Sequence, residues 1–288
     1  SVVEQIATLC KQVMADNALP LDKLKLAVVG VPGAPDVATG RILMAPNIAH
    51  LDEINFNGEL SAALGVDVVV ENDVNLAVLG EHWGGQGQGA DDLAYIAIGT
   101  GIGAGLIVGG DLVRGKNGSA GELGYLPFGR DPFEAESIRQ GALERATATD
   151  AIRSMYKKRT GEELDVKTIF DRLETDINAQ DVLDDVAKEV ARACAALIAI
   201  LDPELIVFGG SIGRREELLT SVKAQLARLS NNKHAMEISK LGGRAALVGA
   251  ASLGLSHIHA TLLADGAPGA SITLPPAKLA SLEGVAHG

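Results

Sequence analysis

The order of apolar and polar residues along the chain predicts strands that alternate with helices. Short apolar runs bounded by glycine, proline or aspartate are typical of buried strands, whereas apolar residues repeated every three or four positions indicate amphipathic helices. The predicted strands are residues 25–31, 66–70, 93–98, 106–108, 204–208 and 236–239, and the predicted helices are residues 1–15, 58–64, 73–82, 216–229 and 245–263. Residues 136–201 are predicted to be largely helical, with Thr147, Asp150 and Asp165 as helix starts. This alternation predicts an α/β protein whose parallel sheets are covered by helices.

The spacing of glycine-rich segments predicts the organisation of the chain. Residues 84–89 contain four glycines and are the preferred hinge between an N-terminal lobe, 1–89, and a C-terminal lobe, 90–264. Residues 32–57 are expected to be irregular. The segment 265–288 is rich in Gly, Ala and Pro and is predicted to be a loosely ordered tail.

Composition and charge narrow the classes of function. The chain has 288 residues, of which 47% are hydrophobic and 3% aromatic, and its net charge is −12. Such an acidic surface repels phosphate backbones, so this segment is not expected to hold DNA itself. Cys10 and Cys194 lie in apolar helical contexts, which predicts free thiols and excludes a cysteine-rich zinc site. The sequence shows no signal peptide and no apolar run long enough to span a membrane, and we expect a cytoplasmic protein.

The segment Gly99-Thr-Gly-Ile-Gly-Ala-Gly105 lies between two predicted strands and suits anion binding. Glycines let backbone N–H groups approach a phosphate without interference from Cβ atoms. The same residues fit a dinucleotide-binding pattern at Gly99, Gly101 and Ala104, but that pattern requires a helix to follow. A hairpin turning at Gly109 is predicted instead, so the dinucleotide alternative is disfavoured.

Several polar residues follow predicted strands or tight glycine turns. Asp73 comes directly after a predicted strand, where its carboxylate could accept a hydrogen bond or a proton from a substrate hydroxyl, and Asn72 offers a donor and an acceptor beside it. The alternative is that Asp73 only caps the next helix. Glu122 lies in a second glycine-flanked turn, and its alternative is a solvated loop carboxylate. Gly209 and Gly210 end a strand where either a nucleotide or another part of the backbone could approach closely.

The order and spacing of these motifs resemble those of the ROK family of sugar kinases and sugar-responsive repressors. The matching segments are Val29-Gly-Val-Pro-Gly33, Thr39-Gly-Arg41, Ala45-Pro-Asn47, Val70-Glu-Asn-Asp-Val-Asn75, Leu79-Gly-Glu81, Ile98-Gly-Thr-Gly-Ile-Gly103, Arg114-Gly-Lys-Asn-Gly-Ser-Ala-Gly-Glu-Leu-Gly124 and Ile206-Val-Phe-Gly-Gly-Ser211. The resemblance implies an actin-like, two-lobed α/β fold of the hexokinase and Hsp70 type. It also implies roles for particular residues: Asp73 as the catalytic base of a kinase or as a sugar ligand, Gly33, Asn47, Asn72 and Glu122 at the sugar, and Gly99, Thr100, Gly101, Gly209 and Gly210 at phosphate or nucleotide.

The chain departs from the family pattern in three places. The kinases of the family begin with a strand carrying Asp-x-Gly-Gly-Thr, but this chain opens at a later helix, so we expect a piece of a longer protein whose first lobe lacks its N-terminal strands. The zinc-binding His of the family is Tyr125 here, and the cysteine loop that completes the zinc site is absent, which predicts no zinc. Counting back from Gly141, Glu136 matches the sugar-contacting Glu that follows that loop.

These departures favour a sensor over a kinase. The predicted function is the effector-sensing domain of a ROK transcriptional regulator that binds a sugar or a sugar phosphate. The resemblance further implies a homodimer and an upstream helix-turn-helix that contacts operator DNA. No cofactor is needed for sensing, and ATP with Mg²⁺ is expected only in the alternative, a sugar kinase truncated at its N-terminus. A third alternative is an inert scaffold that binds nothing.

Overall fold

The computed structural model describes residues 1–36, 38–44, 50–230 and 233–264. The helices are α1 (Val2–Asp16), α2 (Phe56–Leu64), α3 (Asp73–Gly84), α4 (Ala135–Gln140), α5 (Glu144–Thr147), α6 (Thr149–Thr160), α7 (Val166–Asp171), α8 (Ile177–Leu201), α9 (Gly210–Gly213), α10 (Glu216–Leu226) and α11 (Ala245–Ala264). The strands are β1 (Leu26–Val31), β2 (Ala34–Asp36), β3 (Arg41–Leu43), β4 (Asp67–Asn72), β5 (Leu93–Ile98), β6 (Ile102–Val108), β7 (Asp111–Leu112), β8 (Leu205–Gly209) and β9 (Ala235–Ile238). The predicted alternation of strands and helices is confirmed.

Parallel pairing in two sheets places the carboxyl ends of neighbouring strands side by side. β1 pairs in parallel with β4, and the larger sheet has the order β7-β6-β5-β8-β9. Within that sheet β5, β8 and β9 are parallel, while β6 and β7 run antiparallel to their neighbours. Ala97 of β5 pairs with Gly209 of β8, so the carboxyl ends of these strands meet at one edge. Ligands of open α/β sheets bind outside such edges.

The β1–β4 pair is covered by α1 and α2, which pack against each other. The core of this region is built from Val3, Ala7, Ala27, Val31, Ile42, Leu51, Phe56, Leu60 and Val68. Phe56 and Leu60 are completely buried and lie one turn apart on α2, so this helix presents a single apolar face to the region's core.

The larger sheet has the main hydrophobic core on one of its faces, against α8 and α10. The 25-residue helix α8 begins where the Asp176 side chain accepts a hydrogen bond from the Asn178 N–H group at 2.8 Å. It ends at Asp202, whose left-handed conformation (φ 44°) precedes Pro203. Its buried stripe consists of Ala179, Val182, Val186, Ala187, Val190, Ala191, Ala193, Cys194 and Leu197. Burial of this stripe against the sheet supplies the main hydrophobic stabilisation of the region.

Helices α3 and α11 pack together and join the two regions. A Cβ atom on Gly249 would lie 1.7 Å from the Leu76 carbonyl oxygen, and one on Gly80 would lie 2.1 Å from the Ala245 carbonyl oxygen. These glycines therefore let the two helix backbones touch. Since α11 also contacts β1 and α3 contacts β5 and β6, the pair fixes the position of α3 relative to both sheets.

Residues 32–57, predicted to be irregular, contain the β2–β3 hairpin, so that prediction was wrong for part of the segment. The Asp36 carboxylate accepts hydrogen bonds from the Ala38 N–H group at 3.0 Å and the Thr39 hydroxyl at 2.6 Å. Gly40 follows with a positive φ of 68°. The turn is thus stabilised by an Asp side chain and a glycine, which is turn chemistry that the hydrophobic pattern does not report.

The predicted seven-residue glycine turn is also shorter than expected. Only Gly99–Gly101 forms the turn, and Gly103 and Gly105 belong to β6. A Cβ atom on Gly105 would lie 2.6 Å from the Val74 carbonyl oxygen, so this glycine permits α3 to pack on β6. Its role is packing between a helix and a strand rather than contact with an anion.

The predicted helix starts within residues 136–201 have mixed outcomes. Asp165 caps α7, since its side chain accepts a hydrogen bond from the Thr168 N–H group at 2.7 Å. Asp150 lies in the first turn of α6, one residue beyond its start. Thr147 instead ends α5 and donates its hydroxyl to the Leu143 carbonyl oxygen, so that prediction was wrong. In the described part of the chain no helix has the length and apolar character needed to cross a bilayer.

Candidate functional site

The first part of the site lies where β4 is followed by α3. Asn72 caps the helix, because its Oδ1 accepts hydrogen bonds from the N–H groups of Val74 at 2.9 Å and Asn75 at 3.0 Å. Its Nδ2 donates to the Gly33 carbonyl oxygen at 2.9 Å. Asn72 therefore caps α3, a role that one interpretation of the sequence gave to Asp73. The structure brings two predicted sugar ligands, Gly33 and Asn72, into direct contact.

Asp73 is the first residue of α3. Much of its surface is accessible, yet the surrounding protein desolvates its carboxylate and raises its pKa above the usual value, while the N–H groups of Val74 and of Asp73 itself act in the opposite direction. A carboxylate with a raised pKa is a better proton acceptor than an ordinary aspartate. Asp73 can thus receive a hydrogen bond, or the proton, of a substrate hydroxyl.

Glu122 approaches the same place from the loop that follows β7. It comes after Gly121, where φ is 88° and a Cβ atom would lie 1.9 Å from the Ala104 carbonyl oxygen. The Gly121 carbonyl oxygen in turn accepts the Ala104 N–H group at 2.7 Å, which fixes the loop on β6. Burial raises the pKa of Glu122, and the charges of Glu144 and Asp73 raise it further. Its carboxylate is therefore close enough to both for their charges to interact.

Glu144, at the start of α5, is a member of this group that sequence reasoning missed. Its Oε2 accepts the Ile102 N–H group at 3.2 Å, and a Cβ atom on Gly101 would lie 2.5 Å from the same oxygen. Burial raises the pKa of the Glu144 carboxyl, and the hydrogen bond from Ile102 lowers it. Glu144 thus lies beside the turn after β5 and shares the charged surroundings of Glu122.

The structure does not bring Glu136 to this group. Glu136 is exposed on α4, and its carboxylate forms an ion pair with Arg139. The sequence does contain a pattern that points to Glu144 instead. In Gly141-Ala-Leu-Glu144, the first two residues align with the Gly-Cys that ends the cysteine loop in the family resemblance. Counting forward from Gly141 leads to Glu144, whereas counting back led to Glu136.

The second part of the site consists of the turn after β5 and the adjoining junction of β8 and α9, at the edge of the larger sheet. In the turn after β5, the Gly99 N–H group donates to the Gly101 carbonyl oxygen at 2.9 Å, and the Gly99 carbonyl oxygen accepts both the N–H group and the hydroxyl of Thr149, each at 2.9 Å. Thr100 is exposed at the tip. A Cβ atom on Gly99 would lie 3.3 Å from the Ser211 Oγ, so this turn adjoins the start of α9.

Gly209 ends β8 and Gly210 begins α9, and both need to be glycine for local reasons. A Cβ atom on Gly209 would lie 1.7 Å from the Tyr95 Oη. Gly210 has a φ of 78°, and a Cβ atom there would lie 2.3 Å from the Ile98 carbonyl oxygen. Close packing, the alternative reading of the sequence, therefore explains both glycines. A role for these glycines in binding a phosphate or a nucleotide stays a prediction.

Tyr125, which the resemblance aligns with a zinc-binding His, lies in the short helical turn directly after Glu122. Its hydroxyl donates to the Arg139 carbonyl oxygen at 3.2 Å. Burial and the charges of Glu122 and Glu144 raise its pKa, so Tyr125 borders the carboxylate group. Among the residues with described positions, no group of His, Cys, Asp and Glu is arranged to hold a metal ion. The absence of zinc stays a prediction, and Asn47 lies outside the described residues.

The chemistry of the site follows from its charges. Within the described ranges, none of Asp73, Glu122 and Glu144 forms an ion pair. Carboxylates accept hydrogen bonds and do not donate them when ionised. Three such groups in one neighbourhood suit a neutral ligand with several hydroxyl donors, and they disfavour an anionic group at the same position.

The relatives of this chain include proteins named as sugar kinases and proteins named as repressors. A glucokinase from Thermotoga maritima is 34% identical over 66% of this chain and 65% of its own length, and a β-glucoside kinase from Listeria innocua is 32% identical over 86% and 83%. A xylose repressor from Caldicellulosiruptor bescii is 28% identical over 80% of this chain and 62% of its own length. The chain thus spans less than two thirds of the glucokinase and of the repressor.

Similar solved structures also include a sugar kinase and a transcriptional regulator. A ROK hexokinase from Thermus thermophilus has a TM-score of 0.75 with 28% identity, covering 89% of this chain and 87% of its own. A ROK family transcriptional regulator has a TM-score of 0.73 with 25% identity, covering 87% and 67%. The family model described as ROK family matches residues 2–256. The chain therefore belongs to the ROK family and has the actin-like α/β fold of its hexokinases.

Proposed function

We propose that this chain binds a sugar between the β4–α3 junction and the loop that carries Glu122. The observation that carries the proposal is that the three elements bearing Asp73, Glu122 and Glu144 all meet β6: α3 packs on it at Gly105, the Glu122 loop is hydrogen-bonded to Ala104, and Glu144 accepts the Ile102 N–H group. In agreement, the charges of Glu144 and Asp73 raise the pKa of Glu122. The Asn72 amide, one of whose two N–H groups already bonds Gly33, would add a donor beside Asp73. Such a set satisfies vicinal hydroxyls from several directions.

The finer proposal is that the chain senses the sugar as the effector domain of a ROK transcriptional regulator. The likeness to the xylose repressor and to the ROK transcriptional regulator supports it. The substitution of Tyr125 for the metal-binding His of the family also agrees with sensing, since sugar recognition needs carboxylates and amides rather than a metal. In such a regulator, a segment outside this acidic chain would contact operator DNA, and sugar binding would shift the population of the DNA-binding form.

Calorimetric titration with a panel of hexoses, pentoses and amino sugars, each with its 6- or 5-phosphate where one exists, tests the sugar site. We expect at least one neutral sugar to bind, and Asp73→Asn to weaken its binding about tenfold or more, because a hydrogen bond to an ionised group is lost. Asp91→Asn, on the distant loop before β5, is the matched control and should leave affinity unchanged. Equal affinity of Asp73→Asn and the parent protein would refute this site.

A sugar kinase is the second candidate function. It is favoured by the raised pKa of Asp73, which suits a base for a sugar hydroxyl, and by the names of the glucokinase and β-glucoside kinase relatives. ATP with Mg²⁺ would supply the phosphoryl group, and the turn at Gly99–Gly101, whose tip residue Thr100 is exposed, would contact its phosphates together with the adjoining Gly209 and Gly210. Release of ADP with Mg²⁺-ATP and the bound sugar, abolished by Asp73→Asn, would favour the kinase over the sensor.

We also propose a homodimer, which rests on the family. Sedimentation at micromolar concentration tests it, and a monomer would contradict it.

A further inference from the structure

An ion pair between a buried glutamate and a half-exposed arginine lies directly beside the proposed sugar site. Glu71, which precedes Asn72 on β4, has only 6% of its side chain exposed. Its Oε1 accepts the Asn72 N–H group and the Asn75 Nδ2, both at 2.9 Å, and its Oε2 accepts the Arg114 Nε at 2.6 Å. Glu71 thus holds the strand end that carries Asn72 and Asp73, and Arg114 neutralises its buried charge.

Arg114 comes from the other half of the site, 43 residues away in the sequence. It follows β7 and opens the loop that leads to Glu122, and its carbonyl oxygen accepts the Ala120 N–H group at 3.1 Å, which closes that loop. Gly118 in the same loop has a φ of 72°, and its Cβ position lies 3.1 Å from the Pro35 carbonyl oxygen on β2. The loop that carries Glu122 is therefore bonded to the region that carries Asp73 through Arg114 and lies close to it again at Gly118.

The ion pair between Arg114 and Glu71 also affects the balance of charge around the site. Four carboxylates, those of Glu71, Asp73, Glu122 and Glu144, are gathered around the site, and Arg114 is the cation that forms an ion pair with one of them in the described part of the chain. Like charges repel through an interior of low dielectric more strongly than through water. Removing the guanidinium would leave these carboxylates without a paired cation in the described part of the chain.

We propose that Arg114 and Glu71 are positioning residues that hold the two halves of the sugar site together, so that the site is complete only while their ion pair is formed. The inference rests on the proposed sugar site. It assigns a role to an arginine that does not itself need to touch the sugar. It also explains why a buried carboxylate is placed next to Asn72 and Asp73, where an apolar residue would be easier to bury.

Three variants test the pair. Arg114→Ala removes the guanidinium, Arg114→Lys keeps a positive charge without the fixed Nε geometry, and Glu71→Gln keeps an acceptor for Asn72 and Asn75 but removes the charge. Arg159→Ala is the matched control, because Arg159 pairs with Asp185 at 2.6 Å on the helices that pack behind the larger sheet. Sugar affinity is measured by calorimetry, folding by urea denaturation, and motion of residues 113–122 by hydrogen exchange.

We expect Arg114→Ala to weaken sugar binding about tenfold, Arg114→Lys to weaken it less, and Arg159→Ala to leave it unchanged. In the Glu71→Gln background, Arg114→Ala should have a much smaller effect, since the two residues act as one unit. Exchange of residues 113–122 should become faster in Arg114→Ala but not in Arg159→Ala.

The outcomes separate this inference from the proposed function. If the parent protein binds a sugar and Arg114→Ala binds it equally well, the inference is overturned and the sugar site stands. If the parent protein binds no sugar, the proposed function fails, and hydrogen exchange alone tests whether Arg114 and Glu71 hold the loop. Unchanged exchange of residues 113–122 in Arg114→Ala overturns that role. Faster exchange supports it.

Discussion

Replacing Glu144 or Glu136 by glutamine distinguishes the site seen in the structure from the one expected from sequence. Both residues are glutamates near Gly141, and both changes remove one negative charge. Glu144 bonds the Ile102 N–H group and borders Gly101, whereas Glu136 is exposed and paired with Arg139. Only Glu144→Gln alters the carboxylate group, so the two variants are matched in chemistry and differ in location.

The expected magnitude follows from the hydrogen bond that a sugar hydroxyl would donate. A bond to an ionised acceptor contributes about 1.5–3 kcal/mol and a neutral one about 0.5–1.5 kcal/mol, so the loss of charge costs roughly 1.4 kcal/mol, or about tenfold in affinity. Glu144→Gln is therefore expected to weaken sugar binding about tenfold. Glu136→Gln should leave affinity unchanged.

Glu144→Gln should weaken sugar binding without lowering the folding stability of the protein. The pKa of Glu144 is raised in the folded protein, so its contribution to stability is fully present below the ordinary value of 4.5 and is lost as the pH rises through the folded pKa. At neutral pH the ionised Glu144 is thus unfavourable for folding, and glutamine removes this cost while it keeps an acceptor for Ile102. The urea midpoint of Glu144→Gln at pH 7 should be equal to or above that of the parent protein.

The assay is calorimetric titration of the parent protein and both variants with the sugar that binds most tightly, combined with urea denaturation at pH 7. Weakened binding in Glu136→Gln together with unchanged binding in Glu144→Gln would refute the reasoning. A marked loss of stability in Glu144→Gln would also contradict it, since the electrostatic argument predicts the opposite sign.

Three further predictions concern other parts of the molecule. Sugar affinity should fall as the pH is lowered toward about 4.5, because the site carboxylates with raised pKa values become protonated, and titration across pH 4.5–8 by calorimetry checks this. Gly209→Ala should lower the free energy of unfolding by about 1–3 kcal/mol, because its Cβ would collide with Tyr95, whereas Gly243→Ala, with open space around it, should have little effect in urea denaturation. Cys194 is completely buried, and burial raises its pKa to about 12, so a thiol reagent should modify only Cys10 in the folded protein and both cysteines in denaturant.

The sequence alone determined the features that depend on neighbouring residues. The alternation of strands and helices and the place of Asp73 at the junction of β4 and α3 are read from hydrophobic periodicity, and Asp165 is recognised as a cap because capping involves residues three positions apart. The family resemblance, which rests on motif spacing, gave the fold and most of the candidate site. The position of the hinge and the division into lobes stay predictions.

Only the tertiary structure decided which distant residues share one site. It assigned Gly103 and Gly105 to β6, where glycine admits helix α3, and it placed Glu144 rather than Glu136 beside Glu122. It also joined Arg114 to Glu71 across 43 residues. Local sequence patterns report which face of a segment is apolar and where it turns, but they contain no distances between segments. Those distances are set by how the helices and sheets pack, and the chemistry of this site depends on them.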